Sequence, residues 1–109
     1  MTWDVVYLPE AERDFADLNR TQQLLIRKAI EKVRQNPLPA SEGGYGKLLG
    51  NRGGTQLTGY LKIKLLRAGL RIVYKLIRTE TRMLIIVIGV REDSEVYQMA
   101  RMRIDKNQL

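Results

Sequence analysis

Four cations in the second half of the chain have the types and spacing to act on an anion. Lys62 and Lys64 alternate with Leu61, Ile63 and Leu65, Arg71 opens the next apolar run, and Arg91 follows the run after that. A strand that alternates apolar and basic residues buries one face and offers the other to an anion. Three strands doing so in one sheet gather several cations on one small surface. Such a surface fits a polyanion, and RNA is the obvious candidate.

The bulk properties narrow the chemistry. The chain has 109 residues, the size of one compact domain, and positions 1–109 are read as a single domain. Lys and Arg number 19 against 12 Asp and Glu, a net charge of +7. Histidine and cysteine are both absent. Disulfides, thiolate chemistry and cysteine zinc sites are thereby excluded, and so are the commonest general base and the commonest transition-metal ligand. Catalysis would have to use Lys, Arg, Tyr or carboxylates, with no metal and no small-molecule cofactor expected. No apolar run approaches the length of a membrane span, and the first residues lack a signal pattern, so no membrane partner is expected and a cytoplasmic location is the default.

The elements that must position the cations follow from periodicity. Trp3 to Leu8 reads as a short strand. Pro9 opens a helix whose face is Ala11, Phe15 and Leu18, with acidic residues in its first turn. Asn19 and Arg20 break the pattern, and Thr21 is expected to cap a second helix to about Gln35, with Leu25, Ile26, Ala29, Ile30 and Val33 inward. These helices look like a hairpin over one sheet face. Positions 39–59 hold seven of the nine glycines and little periodicity. Leu48 and Leu49 are expected to anchor that stretch, and 51–55 to be mobile. Strands are expected at Tyr60–Leu66, Arg71–Arg78 and Arg82–Gly89. Turns fall at Arg67–Gly69 and Arg78–Thr81. Met83 to Ile88 is apolar on both faces and marks the most buried strand. Ser94 is the expected cap of a last helix carrying Val96, Met99, Ala100 and Ile104 inward and Arg101 and Arg103 outward. The order is β-α-α-β-β-β-α, an α+β fold with a mostly antiparallel sheet and helices packed against it.

The runs YLKIKLLRAGLRIVYKL (Tyr60 to Leu76) and IGVREDSEVYQMA (Ile88 to Ala100) resemble the RelE/ParE superfamily of bacterial toxins, and within it the RelE-type mRNA interferases. The similarity extends more weakly over the two N-terminal helices. It implies the RelE-like microbial RNase fold and a toxin of a type II toxin-antitoxin system. It also implies an endoribonuclease that cuts mRNA in the ribosomal decoding site and is neutralised by a cognate antitoxin. Lys62 and Lys64 match the family's paired strand lysines, Arg71 its transition-state arginine, Arg91 the arginine after the last strand, and Tyr97 the tyrosine of the following helix. Arg67, Lys75, Arg101 and Arg103 are the further residues expected against messenger or ribosomal RNA. The glycine-rich segment before Tyr60 departs from the pattern. So does Asp93, which stands where a basic residue would help an rRNA-facing surface.

The chemistry so implied needs neither histidine nor metal. The RNA 2′-OH attacks the adjacent phosphate, giving a 2′,3′-cyclic phosphate and a 5′-OH. The protein must remove one proton, stabilise the phosphate's extra charge and supply another proton. Clustered cations depress a lysine's pKa, and Lys64 is the candidate base. Arg71 is a forked donor to the pentacoordinate phosphate. Arg91 neutralises the leaving oxygen, and Tyr97 stacks on a splayed base. Plainer alternatives stand beside each role. Lys62 and Lys64 also suit the solvent face of an edge strand, Arg71 an ordinary ion pair, and Tyr97 a half-buried helix position. A ParE-like toxin that binds gyrase and cuts no RNA, or a non-catalytic RNA-binding regulator, are the rival functions.

Overall fold

The computed structural model describes residues 2–52, 55–90 and 92–109. Strand β1 (Asp4–Tyr7) leads into α1 (Pro9–Ala16) and α2 (Arg20–Val33). Two-residue strands β2 (Lys47–Leu48), β3 (Asn51–Arg52) and β4 (Thr55–Gln56) occupy the glycine-rich stretch. Strands β5 (Leu61–Leu65), β6 (Leu70–Ile77) and β7 (Arg82–Gly89) form a meander, and α3 (Asp93–Lys106) closes the described fold. The sheet order is β1-β7-β6-β5-β2, with β3 and β4 paired separately. The β1–β7 pair is parallel and the rest are antiparallel, so the sheet is mostly antiparallel as expected.

Cross-strand register sorts the side chains into two layers. Leu61 lies opposite Tyr74 and Ile63 opposite Ile72, while on the alternate face Lys62 lies opposite Val73 and Lys64 opposite Arg71. The first layer is core: Leu61, Ile72 and Tyr74 are buried, and the Tyr74 hydroxyl donates to the Pro37 carbonyl just past α2 at 2.8 Å. Burial pushes that hydroxyl well above the usual tyrosine pKa, so it stays a neutral donor. The second layer carries the cations and lies on the side that α3 covers. Gly89 sits opposite Arg71, and a Cβ there would come within 2.7 Å of Val96 on α3. Glycine at 89 thus lets the last helix approach the sheet beside the cations.

Met83 to Ile88 is buried throughout, as its two-sided apolarity required. The strand is irregular, however. Val73 pairs with Val87 and Tyr74 with Ile85, so Ile86 is an extra residue on β7. Beyond Ile85, β7 also loses its other neighbour, because β1 ends at Tyr7. Two side chains occupy the backbone groups left there. Asp14 accepts from the Ile88 N–H at 3.0 Å, and Arg103 donates to the Ile86 carbonyl at 3.0 Å. Asp14 and Arg103 also bond each other, at 2.6 Å and 3.0 Å.

Several local expectations change. The cap of α2 is Asn19, not Thr21: its side chain accepts from the Gln22 N–H while Gln22 reaches back to the Asn19 N–H, a reciprocal capping box. The cap position of α3 is Glu92, and Ser94 lies inside the helix. Leu25 is exposed despite its place in the apolar pattern, whereas Ile26, Ile30 and Val33 are buried. Leu49 is buried as an anchor but Leu48 is not. The expectation of mobility at 51–55 reaches Gly53 and Gly54, which lie outside the described residues. Among the described residues no helix is long and apolar enough to cross a membrane.

Candidate functional site

Strand alternation delivers Lys62 and Lys64 to one face of β5, and antiparallel pairing sets Arg71 of β6 directly opposite Lys64. Two like charges at facing positions repel. A carboxylate from α3 resolves this. Lys64 Nζ donates to Asp93 Oδ2 at 2.9 Å, and Arg71 Nε donates to Asp93 Oδ1. The Arg71 guanidinium is further held by Nη1 donating to the Gly69 carbonyl at 3.0 Å, in the turn that begins β6. Arg71 and Lys64 are 20% and 26% exposed and Asp93 39%, so the triad is half sheltered with its carboxylate open on one side.

The hydrogen bond from Lys64 is the main influence on Asp93 and holds its carboxyl below the usual aspartate range. Partial burial pushes the other way, and the bond from Arg71 adds to the lowering. Asp93 is therefore an ionised acceptor at neutral pH.

One residue pair along β5, Lys62 Nζ lies 3.3 Å from the Tyr97 hydroxyl and 5.9 Å from its ring centroid. Tyr97 is 4% exposed. Its ring is buried on the inner side of α3 and has no open face for a base. The open stacking face expected of it is not found, and its hydroxyl instead meets Lys62. Lys47 adds a cation that the sequence did not single out. It lies opposite Lys62 on β2, a strand too short to show alternation.

The remaining expected contacts divide. Lys75 shares the face of Arg71 and Val73, and Arg67 is exposed in the turn between β5 and β6. Arg101 donates to the Gln56 carbonyl at 2.6 Å and to Asp105 at 2.7 Å, tying α3 to the β3–β4 hairpin. Arg103 does not lie on a solvated helix face. Its side chain is 15% exposed and bound to Asp14 and the Ile86 carbonyl, so it is a pin inside the fold. Arg91 lies outside the described residues. No group of acidic residues suited to a metal ion occurs among the described residues.

What the site offers is a set of fixed donors around one acceptor. Lys62, Lys64 and Arg71 supply positive charge from adjacent strands, and Asp93 supplies an ionised oxygen among them. Such a group can bind a phosphodiester, stabilise added charge on it and exchange a proton.

No family model matches the chain. A putative RelE-like toxin protein of Escherichia coli is 29% identical over 105 residues, covering 95% of this chain and 99% of that one. A mutant of the E. coli toxin RelE in the free state superposes with a TM-score of 0.73 at 28% identity, over 95% of this chain and 99% of that one. RelE in complex with a peptide of its antitoxin RelB matches with a TM-score of 0.68 at 27% identity, over 92% and 95% of the two chains. In sequence and fold together, and along nearly its whole length, this chain is similar to the RelE toxins.

Proposed function

We propose that this chain is the toxin of a toxin-antitoxin pair and acts as a ribosome-dependent endoribonuclease on mRNA. The observation that supports the reading is the clustering of Lys62, Lys64 and Arg71 around Asp93, the three cations standing at positions where the resemblance expects phosphate contacts. Arg71 stabilises the pentacoordinate phosphate and Lys62 and Lys64 bind the scissile group; for Arg91, outside the described residues, the resemblance alone implies a role at the leaving oxygen. Tyr97 orients Lys62. Arg67, Lys75 and Arg101 extend the basic surface toward ribosomal RNA. The site's modest machinery suits a reaction in which the decoding centre supplies in-line geometry, since alignment alone contributes much of the acceleration.

The antitoxin is the second proposed partner. A groove of about 540 Å³ runs between α2 and β5, floored by Leu25, Ala29, Leu65 and Leu66 and edged by Lys28 and Lys32. An acidic amphipathic segment would find both apolar contact and opposite charge there. Lys64 also lines this groove, so an occupant would reach the site itself.

Cleavage of a defined mRNA in a reconstituted translation system, against the same RNA without ribosomes, tests this function. Wild type that folds but cuts neither would direct attention to the gyrase-binding alternative.

A further inference from the structure

We propose, on the footing of the endoribonuclease reading, that Asp93 is the general base that takes the proton from the attacking 2′-OH. Three observations converge on it. First, Lys62, Lys64 and Arg71 enter as donors: Lys64 and Arg71 both donate to Asp93, and Lys62 donates to the Tyr97 hydroxyl. Deprotonating a hydroxyl requires an acceptor, and an ionised carboxylate accepts only. Second, Asp93 is the first residue of α3, a helix held against the sheet by buried Val96, Ala100 and Ile104. Its carboxylate is thus fixed on a rigid element, as a catalytic base needs. Third, the carboxylate stands between the two cations best placed to hold the phosphate and remains open to solvent on one side. A ribose hydroxyl next to a phosphate bound by Arg71 and Lys64 would lie beside it.

The step balances within the site. The 2′-OH proton passes to an Asp93 oxygen as the 2′-oxygen bonds to phosphorus. The P–O5′ bond breaks, and the leaving oxygen takes its proton from the Lys62 ammonium or from water. Asp93 then returns its proton to solvent, and Lys62, where it was the donor, takes one back from solvent. The products are a 2′,3′-cyclic phosphate and a 5′-OH.

An amine base faces a population problem that a carboxylate avoids. An ordinary lysine, with a pKa near 10.4, is a free amine in about one molecule in 2,500 at pH 7. Asp93 is ionised throughout that range. Its bonds to Lys64 and Arg71 make it a weak base in the free protein. An incoming phosphate shares those donors, which raises the basicity of Asp93 when the substrate is in place.

The charged and titratable groups around Asp93 are Lys64 from β5, with Lys62 two residues along, and Arg71 from β6. On its own segment stand Glu92 and Glu95, and Tyr97 lies behind Lys62. Arg91 lies outside the described residues.

The test is single-turnover cleavage on programmed ribosomes by wild type, Asp93→Asn and Asp93→Glu, with ribosome affinity and circular dichroism measured for each. The expected result is a fall of about 10²- to 10⁴-fold in the cleavage rate of Asp93→Asn. Its affinity should be undiminished, its fold intact, and Asp93→Glu should recover part of the rate. The wild-type rate should be nearly flat from about pH 6 to 8.5, whereas an amine base gives a rise of about tenfold per unit. An Asp93→Asn variant that cuts as fast as wild type, or faster, overturns the proposal and makes Asp93 an internal competitor of the substrate phosphate. A tenfold-per-unit rise overturns it in favour of a lysine. Wild type that cuts nothing overturns the endoribonuclease reading and this role with it.

Discussion

Lys64 and Arg71 stand directly opposite each other on neighbouring strands, and each donates a hydrogen bond to Asp93 from the helix above. Facing like charges on a sheet are unfavourable by a few tenths of a kcal/mol or more. Here the repulsion is offset by one carboxylate, which holds the two cations side by side. The same relationship couples the last helix to the site, because α3 delivers the acceptor.

Replacing Arg71 should remove transition-state stabilisation without unfolding the chain. The side chain is partly exposed and its guanidinium is held from two directions, by Asp93 and Gly69. Arg71→Ala is expected to lower ribosome-dependent cleavage by about 10²–10³-fold, the usual worth of one such donor. Arg71→Lys should restore little, because one ammonium cannot reproduce the fork. Single-turnover rates for the two variants check this.

Asp14 and Arg103 should matter to stability and not to RNA. They bond each other at 2.6 Å while satisfying the Ile86 carbonyl and the Ile88 N–H beside the β7 bulge. Removing one partner leaves the other sheltered and unpaired. Arg103→Ala is expected to cost about 3 kcal/mol, the lower end for breaking a buried pair. Urea denaturation measures the loss. The salt dependence of ribosome binding should be unchanged, whereas replacing Lys62 should reduce its slope.

Acid should weaken the fold partly through Asp93. Its folded pKa is depressed, chiefly by the Lys64 hydrogen bond. A depressed carboxylate contributes stability above its unfolded value, near 3.9 for aspartate, and loses that contribution as pH falls through the lower folded value. Wild type should therefore lose more stability than Asp93→Asn between about pH 5 and 2.5. The difference will be small, since the group is over a third exposed. Denaturation curves across that range compare the two.

Antitoxin neutralisation should depend on the groove between α2 and β5. Leu25 is exposed there although its spacing matches the buried stripe of α2. Leu25→Glu places a like charge against an acidic partner and removes apolar contact. It is expected to weaken antitoxin binding by at least about tenfold, a modest effect for an interface position. Calorimetric titration of toxin with antitoxin measures it, and ribosome-dependent cleavage should survive the change.

The succession of elements and the cation layer were legible because period-two alternation in LKIKL and the apolar run MLIIVI leave little freedom, whereas nothing in the sequence set β1 parallel to β7. Register then follows, and with it the opposition of Lys64 and Arg71. Three features were hidden for physical reasons. The Asp14–Arg103 pair joins residues 89 positions apart and answers to a bulge that no periodicity announces. Tyr97 looked available for stacking, but helical phase sets it among Val96 and Ala100 in the core. Asp93 stood out as an acidic residue in a basic context, yet its bond to both cations depends on how closely α3 approaches, which Gly89 permits. The capping box on α2 was in the sequence as Asn19 and Gln22, one turn before the apolar stripe, and Thr21 drew the cap two residues too far.

The most direct test of the central claim is primer extension on a defined mRNA in a reconstituted translation system, with wild type and Arg71→Ala in parallel. Cuts within ribosome-occupied codons, missing on free RNA and lost in the variant, are the predicted result. Well-folded wild type that leaves the message intact on translating ribosomes would contradict it.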